Sequence, residues 1–269
     1  MKVRGIHYHI EDSLSDGEPL ILIHGFTGSS ENWQHILPFL NDYRVIRIDM
    51  IGHGMTDKPN EPSRYKVEEI VEDLREIVIQ LKLEKVNILG YSMGGRIALS
   101  FAVLYPNYVK KLILESSSPG LRTMEERLIR VRADENLANE IISNGIDSFV
   151  RKWEQIPLFS SQRRLPEAQQ QWLREQRQKN SSIGLANSLI GTGTGAQPSW
   201  WNMLQKVEVP TQLICGQLDK KFCAIAKEMN KLLPISNLKE INNTGHAIHV
   251  EQPRIFGKIV SEFLKNEQH

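Results

Sequence analysis

Short apolar runs recur along the chain and predict the strands of a buried sheet. Each run is mostly aliphatic or β-branched and ends close to a Gly, Asp, Ser or Glu. The runs lie at residues 20–23, 45–49, 86–89, 112–114 and 212–215, with a further candidate at 237–241. Because a continuous apolar run has no solvent-facing side, both faces of such a strand must be covered, which is typical of a parallel sheet.

The segments between these runs have the periodicity of amphipathic helices. From Val67 to Leu81 the apolar positions are spaced by three and four, so they form one stripe that faces the sheet. Residues 93–105 are apolar on most faces and predict a buried helix, and further helices are expected at 222–233 and 255–264. Strand–helix alternation of this kind predicts a doubly wound, mostly parallel α/β fold.

This alternation stops between residues 120 and 201. The segment has no strand run and consists of helical stretches rich in Arg, Gln and Glu. We therefore expect a helical cap, inserted after the sixth strand at 112–114 and lying over the strand ends where α/β sheets bind ligands. The predicted division is a core of residues 1–119 and 202–269 with a cap of residues 120–201.

Composition and charge exclude several classes of protein. The 269 residues carry 33 basic and 32 acidic side chains, and the net charge of +1 produces no field that attracts nucleic acid. No apolar run approaches the roughly 18 residues of a membrane helix, and the N-terminal residues lack the apolar core of a secretory signal. Two cysteines are too few for a disulfide framework. We therefore expect a cytoplasmic globular protein without nucleic-acid or membrane partners.

The sequence from Gly90 to Gly94, Gly-Tyr-Ser-Met-Gly, has the pattern of a nucleophile elbow. It follows a predicted strand and opens a predicted helix, so Ser92 is expected on a sharp turn at the sheet edge. A serine hydroxyl needs a neighbour that accepts its proton. His246 and Asp219 each follow a later strand, in the chain order Ser, acid, His that such folds use. They are the predicted base and its orienting acid.

Two further residues compete for these roles. His249 lies inside an apolar run, which favours a core or supporting position over that of the base. Glu115 ends a strand and is the alternative acid. Glu251 is expected at the surface.

An oxyanion hole requires two backbone N–H groups. Met93, the residue after Ser92, is one predicted donor, and Phe26, in the loop after the strand at 20–23, is the other. His24 and His53 are expected to support these loops through hydrogen bonds rather than to take part in catalysis.

Together, His-Gly-Phe at 24–26, Gly-His-Gly at 52–54, the elbow, Asp219 and His246 resemble the α/β-hydrolase superfamily. Beyond these motifs, Arg96 lies one helical turn after Ser92 in an apolar helix, so its guanidinium must meet a carboxylate of the protein or of a ligand. Nine of the 16 arginines fall within residues 121–180, together with nine acidic residues. Because arginine binds carboxylates bidentately, this pattern favours a small polyanionic substrate.

The motifs at residues 90–96, 118–127 and 218–222 are similar to those of the 2-succinyl-6-hydroxy-2,4-cyclohexadiene-1-carboxylate (SHCHC) synthases of menaquinone biosynthesis. This resemblance implies a lyase without a cofactor or metal, which eliminates pyruvate from 2-succinyl-5-enolpyruvyl-6-hydroxy-3-cyclohexene-1-carboxylate. The residues that it implies for substrate binding are Arg96, Arg130, Arg177, Tyr91 and Trp153.

Several alternatives stay open at this point. Because the cap diverges in sequence, Arg127 and Arg174 could replace Arg130 and Arg177 as ligands. Ser92 could act as a base or as a covalent nucleophile. In the second case the protein would be an esterase, thioesterase or carbon–carbon bond hydrolase acting on a small carboxylate-bearing substrate. A non-catalytic ligand sensor is the third reading, and the protein is expected as a monomer or small homo-oligomer.

Overall fold

A seven-stranded, almost entirely parallel sheet forms the centre of the protein. The structure, a computed structural model, describes residues 1–266. The strands are β1 (Lys2–Val3), β2 (Ile6–His7), β3 (Ile10–Asp12), β4 (Glu18–Ile23), β5 (Tyr43–Ile48), β6 (Val86–Tyr91), β7 (Val109–Glu115), β8 (Thr211–Gly216) and β9 (Ser236–Ile241). The sheet order is β3-β5-β4-β6-β7-β8-β9, and only β3 pairs antiparallel to its neighbour. Strands β1 and β2 form a separate antiparallel pair.

All six apolar runs are strands of this sheet, which confirms the predicted α/β fold. The sequence analysis did not identify β1, β2 and β3, because strands of two or three residues are too short to show a periodicity. The strand counted there as the sixth is β7, the seventh in chain order.

Helices cover both faces of the sheet. Helices α1 (Val67–Gln80), α2 (Met93–Leu104) and α6 (Lys220–Leu232) contribute to the apolar cluster on one face. On the opposite face, α8 (Pro253–Lys265) packs through Phe256 and Val260, close to the short helix α7 (Ile248–Glu251). Burial on both faces explains why the strand runs are continuously apolar. None of the helices within residues 1–266 combines the length and the apolarity needed to cross a membrane.

Three helices occupy the segment between β7 and β8. They are α3 (Met124–Trp153), interrupted at Gly145, then α4 (Glu167–Gln178) and α5 (Ser182–Thr192). Residues 116–210 are all described and contain no strand. A cap at 120–201 agrees with this arrangement but stays a prediction in its boundaries, and residues 267–269 of the predicted core lie outside the described part of the chain.

Helix α5 fixes the position of the cap on the core. Gly184 and Gly191 lie against Gly52 and Tyr65, in the region that follows β5. A Cβ atom at Gly184 would approach the carbonyl oxygen of Gly52 to 2.1 Å, so only glycine allows this close packing.

Candidate active site

Ser92 stands on a strained turn between β6 and α2. Its φ of 52° and ψ of −108° lie outside the regions that L-residues prefer. The turn is held by a hydrogen bond from the Ser92 N–H to the carbonyl oxygen of Glu115, at 2.9 Å. A Cβ atom at Gly90 or Gly94 would come within 2.3 Å or 2.1 Å of a backbone oxygen, so strand and helix can meet here only through glycine.

The structure brings Ser92, His246 and Asp219 together in one chain of hydrogen bonds. The His246 Nε2 lies 2.9 Å from the Ser92 Oγ, and its Nδ1 lies 2.6 Å from the Asp219 Oδ2. Both His246 and Asp219 are buried. With its proton on Nδ1, the imidazole donates to Asp219 and accepts from the serine hydroxyl. This arrangement can move a proton from Ser92 to His246.

The competing His249 and Glu115 pair with each other instead. The His249 Nδ1 lies 2.8 Å and 3.0 Å from the two Glu115 carboxylate oxygens, and the His249 backbone N–H also donates to Glu115 at 3.0 Å. Both side chains are buried. The ring of Tyr91 packs against His249 on one side and His246 on the other, with centroid distances of 4.6 Å and 5.3 Å. The Glu115–His249 pair therefore packs next to the hydrogen-bonded chain of Ser92, His246 and Asp219, with Tyr91 in contact with both histidines.

The two predicted oxyanion-hole donors both line the cavity that contains Ser92. Met93 is the first residue of α2, so its N–H has no acceptor within the helix. The N–H of Phe26 finds no acceptor among residues 1–266. Two unused donors beside Ser92 can stabilise an oxygen that becomes negative during a reaction.

His24 and His53 support the loops around this site. The His24 Nδ1 donates to the carbonyl oxygen of Gly25 at 2.8 Å, and its Nε2 accepts from the Met50 N–H at 3.0 Å. The His53 Nδ1 lies 3.1 Å from the Ile51 carbonyl oxygen. Burial lowers the pKa of His24, and burial together with the neighbouring His24 lowers the pKa of His53 to about 3. The His24 ring is neutral where its Nε2 accepts from the Met50 N–H, and the low pKa of His53 keeps that ring neutral near pH 7.

A cavity of about 340 Å³ opens above Ser92, between the core and the cap. Such a volume is typical of a small-molecule site. Four of the five predicted substrate-binding residues line it, namely Arg96, Arg130, Tyr91 and Trp153.

Arg96 faces this cavity without a carboxylate partner in residues 1–266. Its guanidinium donates to the carbonyl oxygen of Thr192 at 2.6 Å and to the side chain of Gln197. Burial and the neighbouring Arg130 lower its pKa to about 10. Arg130 itself donates from Nε to the Asp134 carboxylate at 2.8 Å. One carboxylate thus serves two cations, and the surplus positive charge favours an anionic ligand.

The fifth predicted ligand, Arg177, lies behind this cavity rather than in its wall. It borders a small adjoining cavity of about 40 Å³ together with Tyr91 and Phe159. Its guanidinium donates to Gln162 at 2.8 Å and stacks 4.9 Å from the centroid of the Phe159 ring. Burial lowers its pKa.

The alternative cap arginines are bound to protein groups. Arg127 donates to the carbonyl oxygens of Gly195 and Ala196, and Arg174 forms a two-point ion pair with Glu154. Neither lines the cavity above Ser92.

Two side chains at this site were not predicted to belong to it. Glu251, expected at the surface, accepts hydrogen bonds from the Gly245 N–H at 2.8 Å and from the Ser161 hydroxyl at 2.9 Å. It thereby connects the loop that carries His246 to the cap. Lys221 lines the cavity, and its occurrence two residues after Asp219 was the one signal that could have identified it.

A group of three potential metal ligands lies apart from Ser92, at β8, α6 and β9. Cys215, Cys223 and Glu240 place their ligand atoms within 4.8 Å of one another. Burial raises the pKa of both thiols.

The chain matches known proteins along nearly its whole length. Residues 18–253 match the family model described as the alpha/beta hydrolase fold. A candidate SHCHC synthase of Bacillus subtilis (strain 168) is 51% identical over 97% of this chain and 95% of that protein. The SHCHC synthase of Photorhabdus laumondii subsp. laumondii is 31% identical over 91% of this chain and 84% of that protein.

Among solved structures, MenH from S. aureus superimposes with a TM-score of 0.93 at 37% identity, covering 98% of this chain and 99% of that one. Because the family pattern and these similarities extend over both the sheet and the segment above it, the chain belongs to the α/β-hydrolase family and, within it, to the SHCHC synthases.

Proposed function

We propose that this chain eliminates pyruvate from 2-succinyl-5-enolpyruvyl-6-hydroxy-3-cyclohexene-1-carboxylate and thereby forms SHCHC. The observation that carries the proposal is the hydrogen-bonded chain Ser92–His246–Asp219, which opens onto a cavity where Arg96 has no carboxylate partner. The substrate has three carboxylates, so it matches the surplus positive charge of this cavity.

In the proposed mechanism Ser92 is the base. Its Oγ removes the ring proton next to the succinyl carbonyl while its own proton passes to the His246 Nε2, 2.9 Å away. Asp219 holds the tautomer that makes this transfer possible and stabilises the imidazolium that results.

The electrons then move along the ring. The C–H bond breaks at the carbon bearing the succinyl group, and the carbonyl oxygen of that group becomes negative. The N–H groups of Phe26 and Met93 stabilise this oxygen. As the enolate collapses, the ring double bond shifts and the carbon–oxygen bond to the enolpyruvyl group breaks. The leaving group departs as the enolate of pyruvate, which becomes pyruvate when its methylene carbon takes up a proton, and His246 gives up the proton it received so that Ser92 and His246 return to their starting state.

Arginines hold the anionic substituents during this reaction. Arg96 and Arg130 bind substrate carboxylates, and Tyr91 and Trp153 enclose the ring. Arg177 borders the adjoining small cavity, where Phe159 contacts both its guanidinium and Trp153, so this mechanism assigns it no substrate carboxylate.

The proposal also covers the organisation and setting of the enzyme. Residues 1–119 and 202–269 form the catalytic core, and residues 120–201 form the cap that closes over it. The reaction needs no cofactor or metal, because it is a proton abstraction followed by an elimination. We place the enzyme in the cytoplasm, as a monomer or small homo-oligomer.

The test is the release of pyruvate from freshly prepared enolpyruvyl-ether substrate, with a simple aryl ester as the comparison. The wild-type protein is expected to release pyruvate, and Ser92→Ala to lose several orders of magnitude in kcat while its circular dichroism stays unchanged. Ser100→Ala, on the same helix but bonded to Trp200 and the Arg96 carbonyl, is the matched control and is expected to retain turnover.

Two results would overturn this reading. Wild-type turnover by Ser92→Ala would show that the serine is not the base. Accumulation of an acyl-serine in intact-mass spectra, with ester cleavage faster than pyruvate release, would instead assign the protein to the serine hydrolases.

A further inference from the structure

The cavity wall carries a lysine that the proposed mechanism does not use. Lys221 is the second residue of α6, two positions after Asp219, and it lines the same cavity as Ser92 and His246. Its neighbour Phe222 packs against the His246 ring with a centroid distance of 4.6 Å. This places the start of α6 directly beside the proton-transfer chain.

Lys221 has no carboxylate within 4.0 Å among residues 1–266, as is true of most lysines there, but it differs from them in lining the cavity. Four lysines within residues 1–266 do form ion pairs, namely Lys110 with Glu18, Lys152 with Glu140, Lys227 with Glu240, and Lys265 with Asp42. The ammonium group of Lys221 lies 5.8 Å from the centroid of the Phe222 ring, and its side chain is exposed. It is therefore a free cation at the open side of the cavity.

The topology separates this lysine from the arginines. Arg96 contacts Thr192 at the end of α5, and the Thr192 hydroxyl donates to the Tyr65 carbonyl oxygen in the segment after β5. Lys221 instead follows β8. In the sheet order β5-β4-β6-β7-β8, Ser92 follows β6 and lies between the two. Neighbouring strands are about 4.8 Å apart, so Arg96 on the β5 side and Lys221 on the β8 side are separated by several strand widths. The cavity therefore has positive charge on two sides of Ser92.

We propose that Lys221 binds the carboxylate of the leaving enolpyruvyl group. This inference rests on the proposed function and assigns the third substrate carboxylate. The two carboxylates that remain in the product belong with Arg96, which lies under the cap, and Arg130, which lies on α3 of the cap. The third leaves with pyruvate, and an exposed ammonium beside His246 can orient the breaking carbon–oxygen bond and then release its ligand to solvent.

Lysine suits this task better than arginine. Its ammonium is a compact, strongly hydrated point charge on a flexible stem, so it binds a carboxylate without the rigid two-point geometry of a guanidinium. An exposed ion pair of this kind exchanges readily with water. A lysine at this position therefore favours the release of pyruvate to solvent.

The test compares two ethers and two lysines. One ether carries the natural enolpyruvyl group, and the other carries a vinyl group that lacks only the carboxylate. Wild-type protein is expected to prefer the enolpyruvyl ether, and Lys221→Met to lose roughly 2- to 5-fold in kcat/KM on it. On the vinyl ether, the wild type and Lys221→Met are expected to be equal. Lys221→Arg should recover most of the loss.

Lys220→Met is the matched control. Lys220 is the adjacent exposed residue of α6 and does not line the cavity, so its loss is expected to leave both reactions unchanged. The inhibition constant for added pyruvate should rise in Lys221→Met and not in Lys220→Met.

The outcomes separate this inference from the proposed function. If the wild-type protein releases no pyruvate, the proposed function fails, and the assignment of Lys221 fails with it. If the wild type is active but Lys221→Met keeps its preference for the enolpyruvyl ether, or loses both reactions equally, only the assignment of Lys221 is refuted.

Discussion

Replacing Arg96 with methionine should separate activity from stability. Within residues 1–266, the guanidinium of Arg96 donates only to two neutral acceptors, the Thr192 carbonyl oxygen and the Gln197 side chain. Its pKa of about 10, lowered by burial and by Arg130, indicates that this position disfavours the charge in the free protein. Methionine removes that unfavourable charge while it keeps much of the volume.

The expected changes in stability and in kcat/KM follow from the interactions that the folded protein and the substrate complex lose in Arg96→Met. For folding, relief of the buried charge is offset by two neutral acceptors that lose a donor, at about 1 kcal/mol each. The two effects oppose each other, so the melting temperature should stay within about 3 °C of the wild type. For catalysis, a desolvated substrate carboxylate loses its cation, which costs about 2–5 kcal/mol. A value of about 3 kcal/mol corresponds to a loss of roughly 150-fold in kcat/KM.

The assay measures pyruvate release at several substrate concentrations, together with thermal unfolding of the same preparations. Arg132→Met is the matched control, because Arg132 is an exposed arginine of α3 that does not line the cavity. Equal kcat/KM for Arg96→Met and the wild type, or an equal loss in both variants, would refute the assignment of Arg96 to a substrate carboxylate.

Three further predictions test the surroundings of the base. Asp219→Asn should lower kcat by about 10³- to 10⁴-fold, because the amide no longer enforces the Nδ1–H tautomer of His246. Its stability should be unchanged, because the amide still caps α6. Pyruvate release measures the loss in kcat. His53, whose pKa falls to about 3 on folding, binds a proton only in the unfolded chain between that value and about 6.5. The free energy of unfolding should therefore fall by up to about 1.4 kcal/mol per pH unit as the pH falls through this range. Urea unfolding at several pH values should show that the free energy of unfolding of His53→Asn depends less on pH. Glu251→Gln should lower kcat by several-fold, since the Gly245 N–H loses a charged acceptor beside His246; a kcat equal to that of the wild type would contradict this.

Local sequence was sufficient to predict most of the sheet and the elbow. The apolar runs at β4 to β9 exceed the length at which a buried strand is recognisable, and the glycines around Ser92 occur where strand and helix meet without space for a Cβ atom. The order Ser, acid, His then restricted the polar partners to a few loops. The catalytic roles of these residues stay predictions, although the structure brings Ser92, Asp219 and His246 within hydrogen-bonding distance.

The partners of charged groups were the part that sequence could not predict. His246 and His249 are three residues apart, and both lie near an acid; only the packing of the loop against β6 to β8 directs one ring to Ser92 and the other to Glu115. Glu251 was placed at the surface because its two donors, the Gly245 N–H and the Ser161 hydroxyl, come from separate parts of the chain.

The sequence by itself therefore determined the α/β architecture, the turn that carries Ser92 and the family to which the chain belongs, because these depend on apolar periodicity and on short contiguous motifs. Only the tertiary structure decided which cationic side chains face the cavity. Arg96, Arg130 and Lys221 line it, whereas Arg177 borders the adjoining cavity next to Phe159. The physical reason is that a long cationic side chain takes its position from the nearest acceptors in space, and the acceptors of Arg96 (Thr192 and Gln197) and of Arg177 (Gln162) lie at least 15 residues away along the chain.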